Sequence, residues 1–292
     1  MKKILLFGSS GFIGRNIKEY FLKQEGYIVT GPSRMACDLL NYFQTRQVIT
    51  KLQPDFIINA AYIGVDSGVK YSNEYVFNNL KIVTNILRGS TQVPNLKKML
   101  FFGSGLEYGD SKNPISENHS LNPKNIYATT KAINTLLSLS LANELNLPLV
   151  IFRPFNLYGK YDTKSVIYYI ISSILENKKF YITKGGQKRD YLFINDLIKI
   201  IYNFVEDYSS FENYQIYNIA SGKPVQLSTI YKIIFNAMQF NGDSKFREYH
   251  KNDYWHQVAN ISKLKRLIRL DRFTELKEGL QKTIVWIKHS KK

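Results

Sequence analysis

The chain has 292 residues, 44% of them hydrophobic, and carries 40 Lys and Arg against 23 Asp and Glu for a formal net charge of +17. That length buries one large core or two small ones, and no apolar run approaches the ~20 residues needed to span a bilayer. A single cysteine, Cys37, excludes an internal disulfide and points to a reducing compartment, most simply the cytosol. The basic residues are spread along the chain without a nucleic-acid motif, so no nucleic-acid partner is expected; a positive field suits an anionic small molecule. No Cys/His cluster has metal-ligand spacing, and no metal is expected. The densest basic stretch, Lys263, Lys265, Arg266, Arg269 and Arg272, has Leu and Ile at helical spacing and reads as the solvated face of an amphipathic helix.

In chain order, Lys3 to Phe7 is a short apolar strand that runs directly into glycines, unlike a signal peptide. A helix follows from about Phe12 to Gln24, then a strand at Tyr27 to Thr30, a helix at Asn41 to Leu52 and a buried strand at Asp55 to Ala61. Tyr75 to Arg88 is helical, Lys98 to Phe102 a strand, Ile126 to Leu145 a long helix and Leu149 to Phe152 a strand. Strands alternating with helices specify an α/β protein with a parallel sheet covered on both faces. After Gly159 the pattern loosens. Helices are expected at Lys164 to Asn177, Asn195 to Val205, Leu227 to Met238 and Glu275 to Trp286, with strands at Lys179 to Ile182 and Tyr214 to Ile219. The expected division is 1–160 as a dinucleotide-binding domain, with a segment returning to it near 190–220, and 161–292 as mostly a smaller substrate-binding lobe.

Gly8, Gly11 and Gly14 lie between the first strand and the first helix. Such a loop lets backbone approach a pyrophosphate, with free N–H groups and the positive dipole end of a helix facing it. Ser10, Phe12 and Ile13 belong to the same cradle. The spacing is G-x-x-G-x-x-G, which departs from the better-known G-x-G-x-x-G. After the second strand, NAD sites place an acid for the ribose 2′-hydroxyl and NADP sites a basic residue. Here Ser33 and Arg34 follow Thr30-Gly-Pro with no acid, which favours NADP(H) while leaving NAD open. Asp38 and Leu39 stand where an adenine contact is expected; the plainer alternative for Asp38 is a helix cap.

Tyr127 and Lys131 are one turn apart on a helix, on one face. A phenol has an unperturbed pKa near ~10 and is a poor proton donor or acceptor at neutral pH. A neighbouring cation stabilises the phenolate and lowers that value. Beside a nucleotide cradle, this pair can move a proton on or off an alcohol while a hydride moves on or off its carbon.

Taken with these features, GSSGFIG at 8–14, NAA at 59–61, GSGLEYG at 103–109, YATTK at 127–131, RPFNLYG at 153–159 and RDYLFINDL at 189–197 make the chain resemble the extended short-chain dehydrogenase/reductases, within the NAD-dependent epimerase/dehydratase family. The resemblance covers nearly the whole chain. It implies a Rossmann-type doubly wound sheet with a smaller C-terminal substrate-binding lobe, a nucleotide-sugar substrate and often a homodimer. For that dimer Ile133, Leu136, Leu137 and Leu141 offer apolar surface, part of which must face the chain's own sheet. It also implies roles. Ser104 would hydrogen-bond the reacting oxygen, Tyr127 would be the general acid/base, and Lys131 would tune Tyr127 and hold the nicotinamide ribose. Ala60 and Ala61 would border the cofactor. Gly105, Leu106 and Asn156 would lie beside the sugar, and Arg189 would meet the diphosphate, where a guanidinium fork is suited. Arg189 and Asp190 read alternatively as a surface ion pair, and Tyr158 and Tyr191 as packing.

Subgroups of the family differ in reaction. The 4,6-dehydratases carry Asp-Glu directly after the catalytic Ser/Thr; here Gly105 and Leu106 stand there, and Glu107 comes one place too late. The GDP-fucose-type epimerase-reductases share features around Arg34 to Leu39 and in AAYIGVDSG after position 60, but need a Cys and a His to shuttle protons. Their slots here are Leu106 and Ser165. Hydride transfer remains possible without them. The expected activity is therefore NADPH-dependent reduction of the C4 ketone of a nucleoside-diphosphate 4-keto-6-deoxyhexose, for surface polysaccharide. The alternatives are a nucleotide-sugar 4-epimerase with bound NAD, and a catalytically silent nucleotide sensor.

Overall fold

The computed structural model describes residues 1–64, 73–242, 244–249, 253–268 and 272–291. Its first half runs β1 (Lys2–Phe7), α1 (Phe12–Phe21), β2 (Tyr27–Thr30), α2 (Tyr42–Leu52), β3 (Phe56–Asn59), α3 (Asn73–Ser90), β4 (Lys98–Phe102), α4 (Ile126–Glu144) and β5 (Leu149–Pro154). The second half runs β6 (Asn156–Tyr158), α5 (Val166–Leu175), β7 (Tyr181–Ile182), β8 (Lys188–Phe193), α6 (Ile194–Glu206), β9 (Gln215–Ile219), β10 (Pro224–Gln226), α7 (Leu227–Met238), β11 (Lys245–Phe246), β12 (His256–Gln257), α8 (Ser262–Lys265) and α9 (Leu276–Ser290).

Six strands form one parallel sheet in the order β2-β1-β3-β4-β5-β9. β3, β4 and β5 are buried almost throughout and are mostly apolar, as expected for strands covered on both faces. Their side chains alternate between two cores. Ile4, Leu6, Phe56, Ile58, Leu100 and Phe152 face the layer that holds α1 and α6. Leu5, Phe7, Ile57, Met99, Phe101 and Ile151 face the layer of α2, α3 and α4. This is the doubly wound α/β arrangement that the alternation specified. Strand order reverses between β1 and β3, and open α/β sheets bind ligands at the carboxyl ends beside such a reversal.

Beyond β5, strand β8 is the hub of a second sheet. It pairs with β6 and β12 in parallel and β10 antiparallel. The strand character of Lys188–Phe193 escaped the sequence reading. Its pattern passes from charged to fully buried because one end lies at the lobe surface and the other enters the core. Asp190 ties this hub together. Its carboxylate accepts from Ser221 N (2.8 Å), Ser221 Oγ (2.6 Å), Gly222 N (2.8 Å) and Ala259 N (3.3 Å). The surface ion pair with Arg189 is therefore not what is built: Asp190 is fully buried and saturated by other donors.

The amphipathic helix expected across Lys263 to Arg272 does not form as one element. α8 ends at Lys265, and Lys263 turns inward to donate to Gln215 Oε1 (2.7 Å) and the Ile216 carbonyl (2.9 Å). Arg269 lies outside the described residues, as does most of the segment after Ala61 that resembled the GDP-fucose-type enzymes. Among the described residues no helix is long and apolar enough to cross a membrane.

Candidate active site

The glycine loop joins β1 to α1 at the strand reversal. Gly8 has φ +75°, and a Cβ there would lie 2.4 Å from Ala61 N; a Cβ on Gly14 would lie 2.1 Å from the Gly8 carbonyl oxygen. Both glycines are thus needed for close packing of loop, helix and β3. Gly11 fronts open space, its nearest neighbour being the Gly8 oxygen at 3.4 Å from a Cβ. α1 begins with no side-chain cap and no acid in its first turn. Its leading N–H groups and positive dipole end therefore suit an anionic group.

A cleft of about 1100 Å³ opens over the carboxyl ends of the sheet. Ser10, Gly11, Phe12, Ile13, Ala60 and Ala61 line one end, and Ser104, Leu106, Tyr127, Lys131 and Asn156 the other. The structure so brings the glycine loop and the Ser/Tyr/Lys set to one cavity. Gly8 and Gly14 stand behind its wall, and Gly105 sits under the Phe155 ring, 2.8 Å from where a Cβ would be. Ser33, Arg34, Asp38, Leu39 and Arg189 are not among the residues that line it. Ser33 Oγ accepts from Ala36 N (3.3 Å) in a surface turn, with Arg34 exposed beside it. Asp38 Oδ1 accepts from Leu40 N (3.1 Å), while the cap of α2 is Asn41. Arg189 lies in β8, with Nη2 donating to the Tyr254 carbonyl (3.3 Å) and a buried Nε that has no hydrogen-bond partner.

Tyr127 enters the cleft from the first turn of α4, which Asn125 caps by accepting from Ala128 N (2.9 Å). Burial pushes the phenol up, partly offset by a hydrogen bond with Ser104. One turn on, Lys131 donates from Nζ to the Phe102 carbonyl (3.0 Å) and lies 4.1 Å from the centroid of the Tyr62 ring. Burial lowers its pKa to about 8, against the pull of Glu107. Lys131 therefore faces Phe102 and Tyr62, and burial outweighs any lowering of Tyr127. In this state Tyr127 holds its proton.

Ser104 is placed by a carboxylate. Its N–H donates to Glu107 Oε1 (2.7 Å), and its Oγ accepts from Leu106 N (3.2 Å) at the head of a 3-10 turn at 105–108. Glu107 in turn pairs with Arg153 of β5 at 2.7 Å, and both are fully buried. Sequence reasoning left this pair out because its members are far apart in the chain. It also left out Gln257, which lines the cleft and donates to the carbonyls of Gly105 (3.2 Å) and Gly109 (2.8 Å). Ser165 lines the cleft as the cap of α5, accepting from Tyr168 N (3.2 Å).

The sequence matches the model of the NAD dependent epimerase/dehydratase family over residues 4–220. The chain belongs to that family. Curated relatives include a UDP-glucuronate 4-epimerase of Thermodesulfobacterium geofontis, 27% identical over 98% of this chain and 96% of the relative. A GDP-L-colitose synthase of Yersinia pseudotuberculosis is 26% identical over 82% of this chain and 83% of its own. Among solved structures, the UDP-glucuronic acid 4-epimerase of Bacillus cereus in complex with UDP-glucuronic acid and NAD superposes with a TM-score of 0.87 over 99% of each chain. At 22% identity that likeness is one of fold. The glycine loop has the form that a dinucleotide pyrophosphate requires: two of its glycines admit no side chain, and an uncapped helix start faces the cleft.

Proposed function

We propose that this protein is a nicotinamide-dependent nucleotide-sugar oxidoreductase that reduces the C4 ketone of a nucleoside-diphosphate 4-keto-6-deoxyhexose. The observation that carries the reading is the combination in one cleft of Ser104, a protonated Tyr127 and Lys131 with Leu106 and Ser165. Leu106 has no proton to give, and the Ser165 hydroxyl is engaged as a helix cap. This suits hydride transfer at C4 without epimerisation at its neighbours. When bound, the nicotinamide supplies the hydride. Ser104 steadies the C4 oxygen, the Tyr127 phenol gives it a proton, and Lys131 returns a proton to Tyr127. Asn156 at the start of β6 and Leu106 would border the sugar; Gly105 and Arg189 do not line the cleft, so Arg189 would meet the diphosphate only where the substrate extends past that lining, and the lobe from residue 161 onward would hold most of the substrate.

A UDP-sugar 4-epimerase is the second reading, supported by the relative from Thermodesulfobacterium geofontis. One experiment separates them. NADPH and NADH oxidation is followed with 4-keto-6-deoxy sugars on GDP, dTDP, CDP and UDP. Rapid oxidation with one of them upholds the reductase. No oxidation with any, together with interconversion of UDP-hexoses without added cofactor, overturns it in favour of the epimerase.

The NADP(H) preference rests on the missing acid after β2 and on exposed Arg34. A hydrogen bond to a charged group contributes about 1.5–3 kcal/mol. Arg34→Ala is thus expected to raise the KM for NADPH about 10- to 100-fold, with the KM for NADH unchanged. Equal effects on both cofactors would remove Arg34 from the 2′-phosphate site. The proposal includes a homodimer through α4. Ile133 and Leu136 are exposed at 39% and 57%, whereas Leu137 and Leu141 pack inward. Sedimentation equilibrium at twice the chain mass is the expected result, and a single-chain mass would refute it.

A further inference from the structure

Tyr62, in the loop after β3, has no part in the reaction described above, yet it touches both Tyr127 and Lys131. The centroid of its ring lies 4.1 Å from Lys131 Nζ, well inside the ~6 Å over which a ring face attracts a cation. The same ring meets Tyr127 edge-on, with centroids 5.5 Å apart and planes at 80°. Its hydroxyl shares a hydrogen bond with the Tyr75 hydroxyl of α3 at 2.7 Å, which fixes the ring plane. Tyr62 and Lys131 line both the cleft and a second, small cavity of about 20 Å³, as do Asn59, Ala61, Phe102 and Gly103.

We propose that Tyr62 is a positioning residue, whose ring face holds the Lys131 ammonium in its charged form at the cleft wall and whose ring seats Tyr127 through an edge-to-face contact. The inference rests on the roles proposed above for those two residues. An ammonium has three donors. One of those on Lys131 is used on the Phe102 carbonyl, and the ring quadrupole covers another side. The groups that bear on Lys131 are Tyr127 on its own helix, Tyr62 after β3, the Phe102 carbonyl at the end of β4, and Glu107 with its partner Arg153 of β5; Tyr75 of α3 stands behind Tyr62. Burial pushes the Tyr62 phenol up, so it faces the ammonium as a neutral ring. Lys131, already lowered to about 8 by burial, is within reach of neutralisation at working pH. Loss of the ring face would take it lower still, because it is the charged form that the face favours.

The test titrates Lys131 in the full chain without substrate or added cofactor. Acetylation by acetic anhydride is measured from about pH 6 to pH 10 by mass spectrometry of the peptide containing Lys131, for wild type, Tyr62→Phe, Tyr62→Leu and Tyr62→Met. Phe keeps the ring face and loses the link to Tyr75; Leu and Met fill the space without a quadrupole. The expected result is a midpoint about one pH unit lower in Leu and Met, a tenfold change in proton affinity, with Phe at the wild-type value. Two aliphatic variants guard against one that fails to fold, and thermal unfolding of each is recorded alongside. Coincident midpoints in all four proteins would overturn the proposal, as would a shift in Phe equal to that in Leu. Because the titration needs no turnover, it is read in the same way even if every ketosugar proves not to be a substrate, so the two failures are distinguishable.

Discussion

Tyr127→Phe is expected to reduce turnover by about 10²- to 10⁴-fold, the range over which a positioned acid or base contributes. The loss should fall on kcat, because in the proposed reaction the deleted hydroxyl would act on the C4 oxygen as charge develops there, while the ring that shapes the cleft remains. Folding should be nearly untouched. The ring keeps its edge-on contact with Tyr62, and one neutral hydrogen bond, to Ser104, is given up. Such a bond contributes about 0.5–1.5 kcal/mol, a few degrees of melting temperature at most. Turnover and thermal unfolding measured on the same preparation check both halves. Unchanged turnover would show that the proton comes from elsewhere. Lost turnover with intact folding would exclude the silent sensor, since a sensor has no kcat to lose.

The second large effect concerns stability. Glu107→Ala is expected to destabilise the protein by about 3–5 kcal/mol, as does removal of one member of a buried ion pair. Arg153 is 2% exposed, and its Nε and Nη2 donate to Glu107 at 2.8 and 2.7 Å, so truncation leaves a guanidinium in the core without its carboxylate. Ser104 N and Thr135 Oγ1 lose the same acceptor. For a chain of this size the expected fall in melting temperature is about 5–8 °C. Arg153→Met added to Glu107→Ala should recover part of the loss, because an apolar pair needs no compensation. If the double variant melts below Glu107→Ala alone, the unpaired charge is not the cause. Turnover of the double variant should stay low even so, since the carboxylate that fixes the Ser104 backbone is still missing.

How far the sequence could be read depended on the range of the interactions. β2, β4 and α7 fall at their expected residues because each is specified by local pattern and bounded by local turn chemistry. The glycine loop was legible for the same reason, and the Tyr127–Lys131 spacing is a property of a single helix. Glu107 was legible only as a residue displaced from a dehydratase position. Its partner is 46 residues away in another strand, and nothing in either neighbourhood announces the pair. Tyr62 likewise sat unremarked between two alanines and an isoleucine. Its meaning comes from α3 and α4, which the fold brings to it. The alternative reading of Arg189 and Asp190 as a surface pair rested only on the adjacency of opposite charges. Successive residues of a strand point to opposite faces, so the two side chains part company, one into the core and one toward the lobe.

The position of β9 has a consequence for how the chain is made. This strand closes the outer edge of β5, yet it is synthesised after β6, α5, β7, β8 and α6. A ribosome that has delivered the glycine loop and the Ser104, Tyr127 and Lys131 segments has not yet delivered the strand that seals the sheet they stand on. Until Gln215–Ile219 emerges, Leu149–Pro154 presents an apolar strand with an open row of backbone donors and acceptors, the kind of edge on which other chains nucleate. The chemistry is encoded early and its protection late. Throughout the translation of those intervening elements the β5 edge has no partner strand from its own chain.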